Sequence, residues 1–307
     1  MTVANLLMFL ALTGIFEPSA IQQLPDGRFL VVEDEKTQPF SLVTIRANGS
    51  VASSPLVTAT PDATRDFKKL DDLEGIAVDA AGFIYAITSH SRNNAGEEKK
   101  SREKLLRFRI EGDRAVAPVV VTQLKAALSA AHPVLATAAQ IPDVKAAGGL
   151  NIEALEMTPD RQRLLIGFRS PLLDRRAIIA SIENPLAVFA AGEALRIAPR
   201  LDTLDLGGHG IRGLSYVPAL AGYLVVSGPV TKEQVQFQLW FWSGQPAERP
   251  RRVNVPGLPG FEHAEGVSPA IIDGRQRIVI VSDDGSSKDQ RFARYLLLDP
   301  GQLQIAP

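Results

Sequence analysis

Four glutamates and one arginine hold the same place in a phrase that the chain repeats five times. The phrase runs through an acidic or polar residue, a short apolar strand, a turn, a second apolar strand and a polar cluster. It reads FEPSAIQQLPDGRFLVVEDE from Phe16, LEGIAVDAAGFIYAITSHS from Leu73 and IEALEMTPDRQRLLIGFRS from Ile152. It returns as IRGLSYVPALAGYLVVSGP from Ile211 and AEGVSPAIIDGRQRIVIVSDDG from Ala264. The shared position holds Glu17, Glu74, Glu153, Arg212 and Glu265. Carboxylates that converge raise one another's pKa and need shared protons, a cationic side chain or a bound cation. One guanidinium among four carboxylates leaves about −3, which a hard divalent ion would offset, and oxygen donors suit Ca²⁺ or Mg²⁺. Glu17, Glu74, Glu153 and Glu265 are the candidate ligands. The other reading of the same residues is an Arg212–glutamate network that only ties the repeats together.

Around this ring the sequence sets further polar groups. The clusters that close each second strand are Glu33-Asp34-Glu35, Ser89-His90-Ser91-Arg92, Arg169-Ser170, Ser227 and Ser282-Asp283-Asp284. His90, His209 and His263 fall on the same face, and His263 precedes Glu265 by two residues, so both leave the strand on one side. His132, the fourth histidine, reads as ordinary surface. Glu74 and Glu153, with His90 or His263, are the candidates for acid–base catalysis. Arg169, Arg212, Ser89, Arg92, His209 and Asp283 are the candidates for holding a ligand. Arg and Lys side chains in the loops after the second strands suit a phosphorylated or otherwise anionic small molecule. Interleaved acids such as Glu97, Glu98 and Asp289 allow those loops to be simply solvated.

The elements that must position these residues follow from the repeat, whose units run to about 50–60 residues. Each unit supplies a third strand: Ser41–Arg46, Lys104–Ile110, Ala177–Ile182, Gln236–Trp242 and Arg294–Leu298. A weaker fourth follows in the first four units: Val51–Thr58, Val116–Thr122, Ala194–Leu201 and Arg251–Val255. The fifth unit lacks one, and Leu6–Leu12 is expected to fill the place and close the ring. Five antiparallel four-strand units predict an all-β, five-bladed β-propeller in a single domain over residues 1–307. A pair of β-sandwiches would not repeat one strand–turn–strand phrase five times. The expected blades are about 15–60, 72–123, 150–204, 209–257 and 262–299, the last completed by residues 6–12. A small helical insertion, about 124–147, separates blades two and three.

Composition sets the outer limits. The chain has 307 residues, with 34 acidic against 33 basic, and this balance argues against a nucleic-acid binder. With 45% hydrophobic residues the chain can bury a sizeable core. The absence of cysteine removes disulfides, thiolate metal sites and cysteine nucleophiles. Leu6–Leu12 is too short to span a bilayer, and neither a preceding Lys or Arg nor a small-x-small cleavage pattern accompanies it. The expectation is a cytoplasmic monomer; the composition also suits a periplasmic or secreted one. No phosphate-cradling glycine loop, G-x-S-x-G elbow or H-E-x-x-H motif is present.

LEGIAVDAAGFIYAITSHS, GGLNIEALEMTPD, GGHGIRGLSYVP and HAEGVSP resemble the phrases of a family of uncharacterised bacterial propellers, known only as a domain of unknown function. The resemblance covers nearly the whole chain and implies no particular activity. The EG-hydrophobic-A phrase also resembles esterase-like and phytase-like propellers. A more distant similarity is to the calcium-activated nucleotidases (apyrases), five-bladed propellers whose axial Ca²⁺ is held by glutamates and serines. It is carried by Glu74, Glu153, the GIRGLSYVP phrase and Glu265, and it departs at Arg212, where that family has a neutral oxygen ligand. EGIAVDAAGFIYA resembles six-bladed gluconolactonase-like hydrolases too; Asn151 and Asp283 could complete their metal trio, but a sixth blade is missing. Two functions follow as expectations: a metal-dependent hydrolase of phosphate esters or related anionic metabolites, or a non-catalytic binding or scaffold propeller.

Overall fold

The computed structural model describes residues 7–34, 38–59, 65–144, 148–230, 236–246, 248–261 and 263–307. Leu6, Glu35, Thr60, Lys145, Ala146, Ala147 and Glu262, on which some expectations fell, lie outside them.

Five antiparallel sheets stand around one axis. Blade one is Pro18–Gln23, Phe29–Glu33, Phe40–Ile45 and Val51–Pro55. Blade two is Leu73–Val78, Ile84–Thr88, Leu105–Glu111 and Arg114–Val121. Blade three is Asn151–Met157, Leu164–Ser170, Ala177–Ile182 and Asp202–Leu204. Blade four is Gly210–Val217, Gly222–Gly228, Gln238–Trp242 and Arg251–Asn254. Blade five is Ala264–Ile272, Arg275–Ser282 and Arg294–Leu298, with Leu10–Ala11 as its outer strand. The innermost strands pack each on the next, and that of blade five returns to that of blade one. The chain is therefore the expected five-bladed propeller.

Burial explains why these segments are strands. The second strand of every blade lies between two neighbouring blades, so both of its faces are covered. Phe29-Leu30-Val31-Val32 and Ile278-Val279-Ile280-Val281 are accordingly continuous apolar runs, all buried. The outermost strand of blade one, Val51–Pro55, is largely exposed and mixes small polar residues. Between the first and second strands of blade five, Asp273 and Gly274 take φ of 49° and 71°. Two successive positive values match the twist of a two-residue hairpin, which is why Asp-Gly occupies it.

Both chain ends close onto the ring. Leu10 pairs with Tyr295 and Ala11 with Arg294, as the missing fourth strand required. Leu12 and Ile15, both fully buried, anchor this segment beneath blade five. The C-terminal end adds an unforeseen strand, Gln304–Ile305, to the outer edge of blade four, where Ile305 pairs with Val253.

The insertion is two helices, Leu124–Ala131 and Pro133–Gln140. Pro133 opens the second helix, where its missing N–H costs nothing. Leu124, Leu128 and Leu135 pack with Tyr85 and Phe168 in the core between blades two and three. His132, expected at the surface, is buried at the joint and its Nε2 lies 3.0 Å from the Ala198 carbonyl oxygen. The fourth strand of blade three also differs from expectation. It is Asp202–Leu204 rather than Ala194–Leu201, where only Ile197 bridges back to Ile182. A short helix, Pro185–Ala191, takes up the preceding chain. No helix among the described residues is long and apolar enough to cross a membrane.

Candidate functional site

One irregularity, repeated in all five innermost strands, builds the axial ring. The pairing of first and second strand slips between Pro18 and Ala20, Leu73 and Gly75, Ile152 and Ala154, Ile211 and Gly213, and Ala264 and Val267. Each slip is a β-bulge, which frees a residue from the ladder and re-aims its side chain. The residues at these bulges are Ser19, Glu74, Glu153, Arg212 and Glu265. Each is followed by a small residue: Ala20, Gly75, Ala154, Gly213 and Gly266. The reason is contact at the axis. A Cβ on Gly213 would stand 2.1 Å from the Glu265 carbonyl oxygen, and one on Gly266 would stand 2.8 Å from the Ile21 nitrogen.

The first blade thus presents Ser19, not Glu17, to the axis. Glu17 precedes the bulge by two residues and corresponds to Asp72, Asn151, Gly210 and His263 in the other blades. The ring carries three carboxyls rather than four.

The ring floors a cavity of about 1120 Å³. Arg212 Nη1 lies 2.7 Å from Glu265 Oε1 and 3.0 Å from Glu153 Oε2. Glu153 Oε1 takes a contact from Arg169 Nη1 at 3.2 Å and a hydrogen bond from Asn151 Nδ2 at 2.7 Å. Arg169 also donates through Nε to the Pro229 carbonyl at 3.0 Å. Three blades are thereby tied across the axis by two guanidiniums. Burial alone would weaken the charge on Arg212, but Glu153, Glu265 and Glu74 outweigh it and hold the guanidinium charged.

The carboxyls respond to burial first. Glu74 is pushed well above the usual carboxylate range by burial, then by Asp72, Glu153, Glu265 and Asp34. Burial raises Glu265 to about 8, with Glu153 and Asp283 adding to it against the pull of Arg212. Asp34 is raised to about 7 by burial and then Asp72, and Asp283 to about 6 by burial and then Glu17. All four line the cavity.

Blade two and the insertion raise one wall. Arg102 pairs with Asp71 at 3.3 Å and with Asp72 at 2.9 Å. The hydroxyls of Ser89 and Ser91 donate to the same Asp72 oxygen. Arg92 lines the cavity and reaches the carbonyls of Gly96 and Ala139 at 3.1 and 3.3 Å, fastening the loop to the helices.

The structure brings Glu74, Glu153, Glu265, Arg92, Arg169, Arg212 and Asp283 together in this cavity. It does not bring the histidines with them. His90 is fully buried, its Nδ1 lies 2.8 Å from the Thr88 carbonyl oxygen, and desolvation lowers it to about 4. Its φ of 56° breaks the strand alternation that would have aimed it at the axis. His209 is buried with its Nδ1 3.2 Å from Ser227 Oγ, outside the cavity lining. His263 is exposed at the rim, its ring 5.7 Å from that of Phe237. Ser89 lies behind the wall and acts through Asp72. Ser19, Asp72, Arg102 and Asn151 also line the cavity. Asn151 was legible as the residue two before Glu153 on the same strand, whereas Asp72 precedes the strand of Glu74 with a φ of 63°, outside strand alternation.

The expected cation ligands do not surround a cation-shaped gap. Arg212 stands between Glu153 and Glu265, so a guanidinium already fills the role offered to the metal. Among the described residues, no group of three or more Asp, Glu or His is arranged to hold a metal ion.

Comparison with known proteins agrees with the fold. A family model described as "Protein of unknown function (DUF3616)" matches residues 120–299. A search of curated proteins found no match. Among solved structures, an exo-β-1,3-galactanase from Phanerochaete chrysosporium is similar at 9% identity and a TM-score of 0.53, over 98% of this chain and 65% of that one. The Malassezia sympodialis allergen Mala s 1 is similar at 11% identity and a TM-score of 0.44, over 94% and 80%. A putative oxidoreductase (glucose dehydrogenase) from Thermus thermophilus is similar at 14% identity and a TM-score of 0.41, over 95% and 100%. At 9% identity the likeness to the galactanase speaks for the fold alone.

Proposed function

The chain belongs to the DUF3616 family of proteins of unknown function, and from its axial cavity we propose a hydrolase of small anionic substrates, phosphate esters first among them, with Glu74 as the proton-transfer group. The observation that carries this reading is the contrast between two carboxyls of one ring. Glu153 is gripped by Arg169, Arg212 and Asn151. Glu74 faces the same cavity beside other acids, and burial together with those acids holds it well above the usual carboxylate range. Carboxyls with divergent environments are the usual arrangement for acid–base work. Protonation of Glu265, which burial raises to about 8, relieves Arg212 of one of its two carboxylate partners, and the protonated carboxyl can donate to an anion's oxygens. In this reading water attacks phosphorus as the ester P–O bond breaks. Glu74 gives its proton to the leaving-group oxygen and regains one from the attacking water. Arg169 and Arg212 offset the substrate's charge, and Glu153 fixes both guanidiniums. The protein works as a cytoplasmic monomer whose partner is the small ligand.

A divalent-ion form of the same reading keeps Glu74, Glu153 and Glu265 as the residues that would hold Ca²⁺ or Mg²⁺ and requires Arg212 to swing aside. The ion would polarise a phosphoryl oxygen. The competing reading, a scaffold whose ring only locks blades three to five, draws on the same ion pairs. A phosphatase and lactonase screen with and without divalent ions separates the three. Turnover that persists in chelator supports the metal-free form, and turnover that needs the ion supports the other. Neither turnover nor a ligand-induced melting shift across the panel would leave the scaffold.

A further inference from the structure

The opposite mouth of the channel opens into a second cavity of about 490 Å³. Between the two lies a constriction of about 10 Å³, lined by Ile21, Gly75, Ile76, Leu155, Leu214 and Val267 among others. That is at the lower limit for a single water, so the two mouths are separate sites.

The second cavity has its own polar floor of Gln22, Glu156 and Ser215, with Ser268 behind Gln22. All four stand three residues past the bulge residue of their blade and are buried. Gln22 bridges the set. Its Nε2 donates to Glu156 Oε2 at 3.2 Å and to Ser215 Oγ at 3.0 Å, and its Oε1 accepts from Ser268 Oγ at 3.3 Å. The Tyr216 backbone N–H donates to the same Glu156 oxygen at 3.3 Å. Above this floor the walls are apolar, among them Pro159, Tyr216, Pro218 and Ile271.

Charge decides what such a cavity takes. Arg161 and Arg277, the two lining guanidiniums, are already matched, the first to Asp79 at 2.9 Å and the second to Asp299. Among the described residues Glu156 is held only by neutral donors, and burial raises it to about 8 despite the bonds from Ser215, Tyr216, Met157 and Gln22. A buried carboxyl without a counter-charge is the complement of a cationic donor, whose arrival favours the ionised form and lets the carboxyl give up its proton on binding. The volume is that of a small-molecule pocket.

We propose that this cavity binds a small organic ammonium compound, its nitrogen on Glu156 and its apolar body between Pro159, Tyr216, Pro218 and Ile271. The site does not depend on what the axial cavity does.

The test is calorimetric titration with benzylamine, benzyl alcohol and benzoate against the parent, Glu156→Gln and Ala219→Trp. Ala219 lines the cavity from an exposed position, so tryptophan there fills the space without entering the core. Benzylamine is expected to bind at least ~10-fold tighter than the other two, to weaken about 10-fold in Glu156→Gln and to be lost in Ala219→Trp. If Glu156→Gln fails to fold, the alcohol comparison and Ala219→Trp still decide. Equal binding of amine and alcohol, or no benzylamine binding below about 10 mM, would overturn the proposal. So would benzylamine binding that Glu74→Gln abolishes, because that would put the amine in the axial cavity.

Discussion

Arg212 of the fourth blade reaches Glu265 of the fifth, Nη1 to Oε1 at 2.7 Å, beside the close backbone contact that Gly213 makes with Glu265. The same guanidinium touches Glu153 of the third blade, so one side chain offsets carboxyls from two neighbours. Stability and ligand preference both depend on this arrangement.

Arg212→Ala should cost about 3 kcal/mol at neutral pH, because it leaves buried carboxyls without compensation. The sign with pH follows from the raised carboxyls. An acid whose folded pKa lies above its unfolded one keeps its proton in the native state while the unfolded chain has lost it, so stability falls as pH rises between the two values. Lowering the pH toward 5 protonates the cluster in the variant and should recover much of the loss. Thermal melts at pH 7 and pH 5 check this; equal melting of variant and parent at both would place Arg212 in solvent.

The parent should show the same trend more weakly. Glu265 is raised from 4.5 to about 8 and Glu156 likewise to about 8, so both draw stability down over that interval. Glu265→Gln removes one of these titrations, and its melting temperature should depend less on pH than the parent's. A steeper dependence would contradict the assignment.

Close approach at the axis is tested by glycine. Gly213→Ala should destabilise by about 3 kcal/mol, since the added carbon meets the Glu265 backbone rather than a movable side chain. Gly301→Ala, where nothing lies within 4 Å, is the control and should melt like the parent. Urea titrations of both report the difference.

Ring closure rests on two buried residues. Leu12→Ala should cost about 3 kcal/mol, as large-to-small changes in a full core do. Leu10→Ala, two residues earlier and 36% exposed, should cost well under half of that. Similar losses at the two sites would mean that the segment is held by its ladder bonds alone.

Much of this was legible in the sequence. Five copies of one phrase predicted five blades, and the missing outer strand predicted where Leu10–Ala11 would pair. Arg212, the one cation at a glutamate position, marked the inter-blade contact. What alternation alone could not show is the bulge. In a regular strand Glu17 and Ser19 share a face, so the acidic residue looked like the axial one; the extra residue selects Ser19. The same insertion puts Glu153 and Glu156, an odd number of residues apart, at two ends of one channel, so the second cavity's floor was invisible to period-two reasoning. His90 escaped for a related reason, a left-handed backbone conformation that turns a polar-looking cluster residue into the core. Gln304–Ile305 is too short and too polar to register as a strand.

Proton transfer from Glu74 to a substrate in the axial cavity is read in the pH–rate profile of the parent against Glu74→Gln, on whichever phosphate ester the screen finds turned over. In Glu74→Gln kcat should fall by about 100-fold or more. The alkaline limb of the parent profile should also disappear in the variant, while the melting temperature holds or rises because a buried carboxyl has gone. A variant that turns over at the parental rate with the same alkaline limb would contradict proton transfer by Glu74.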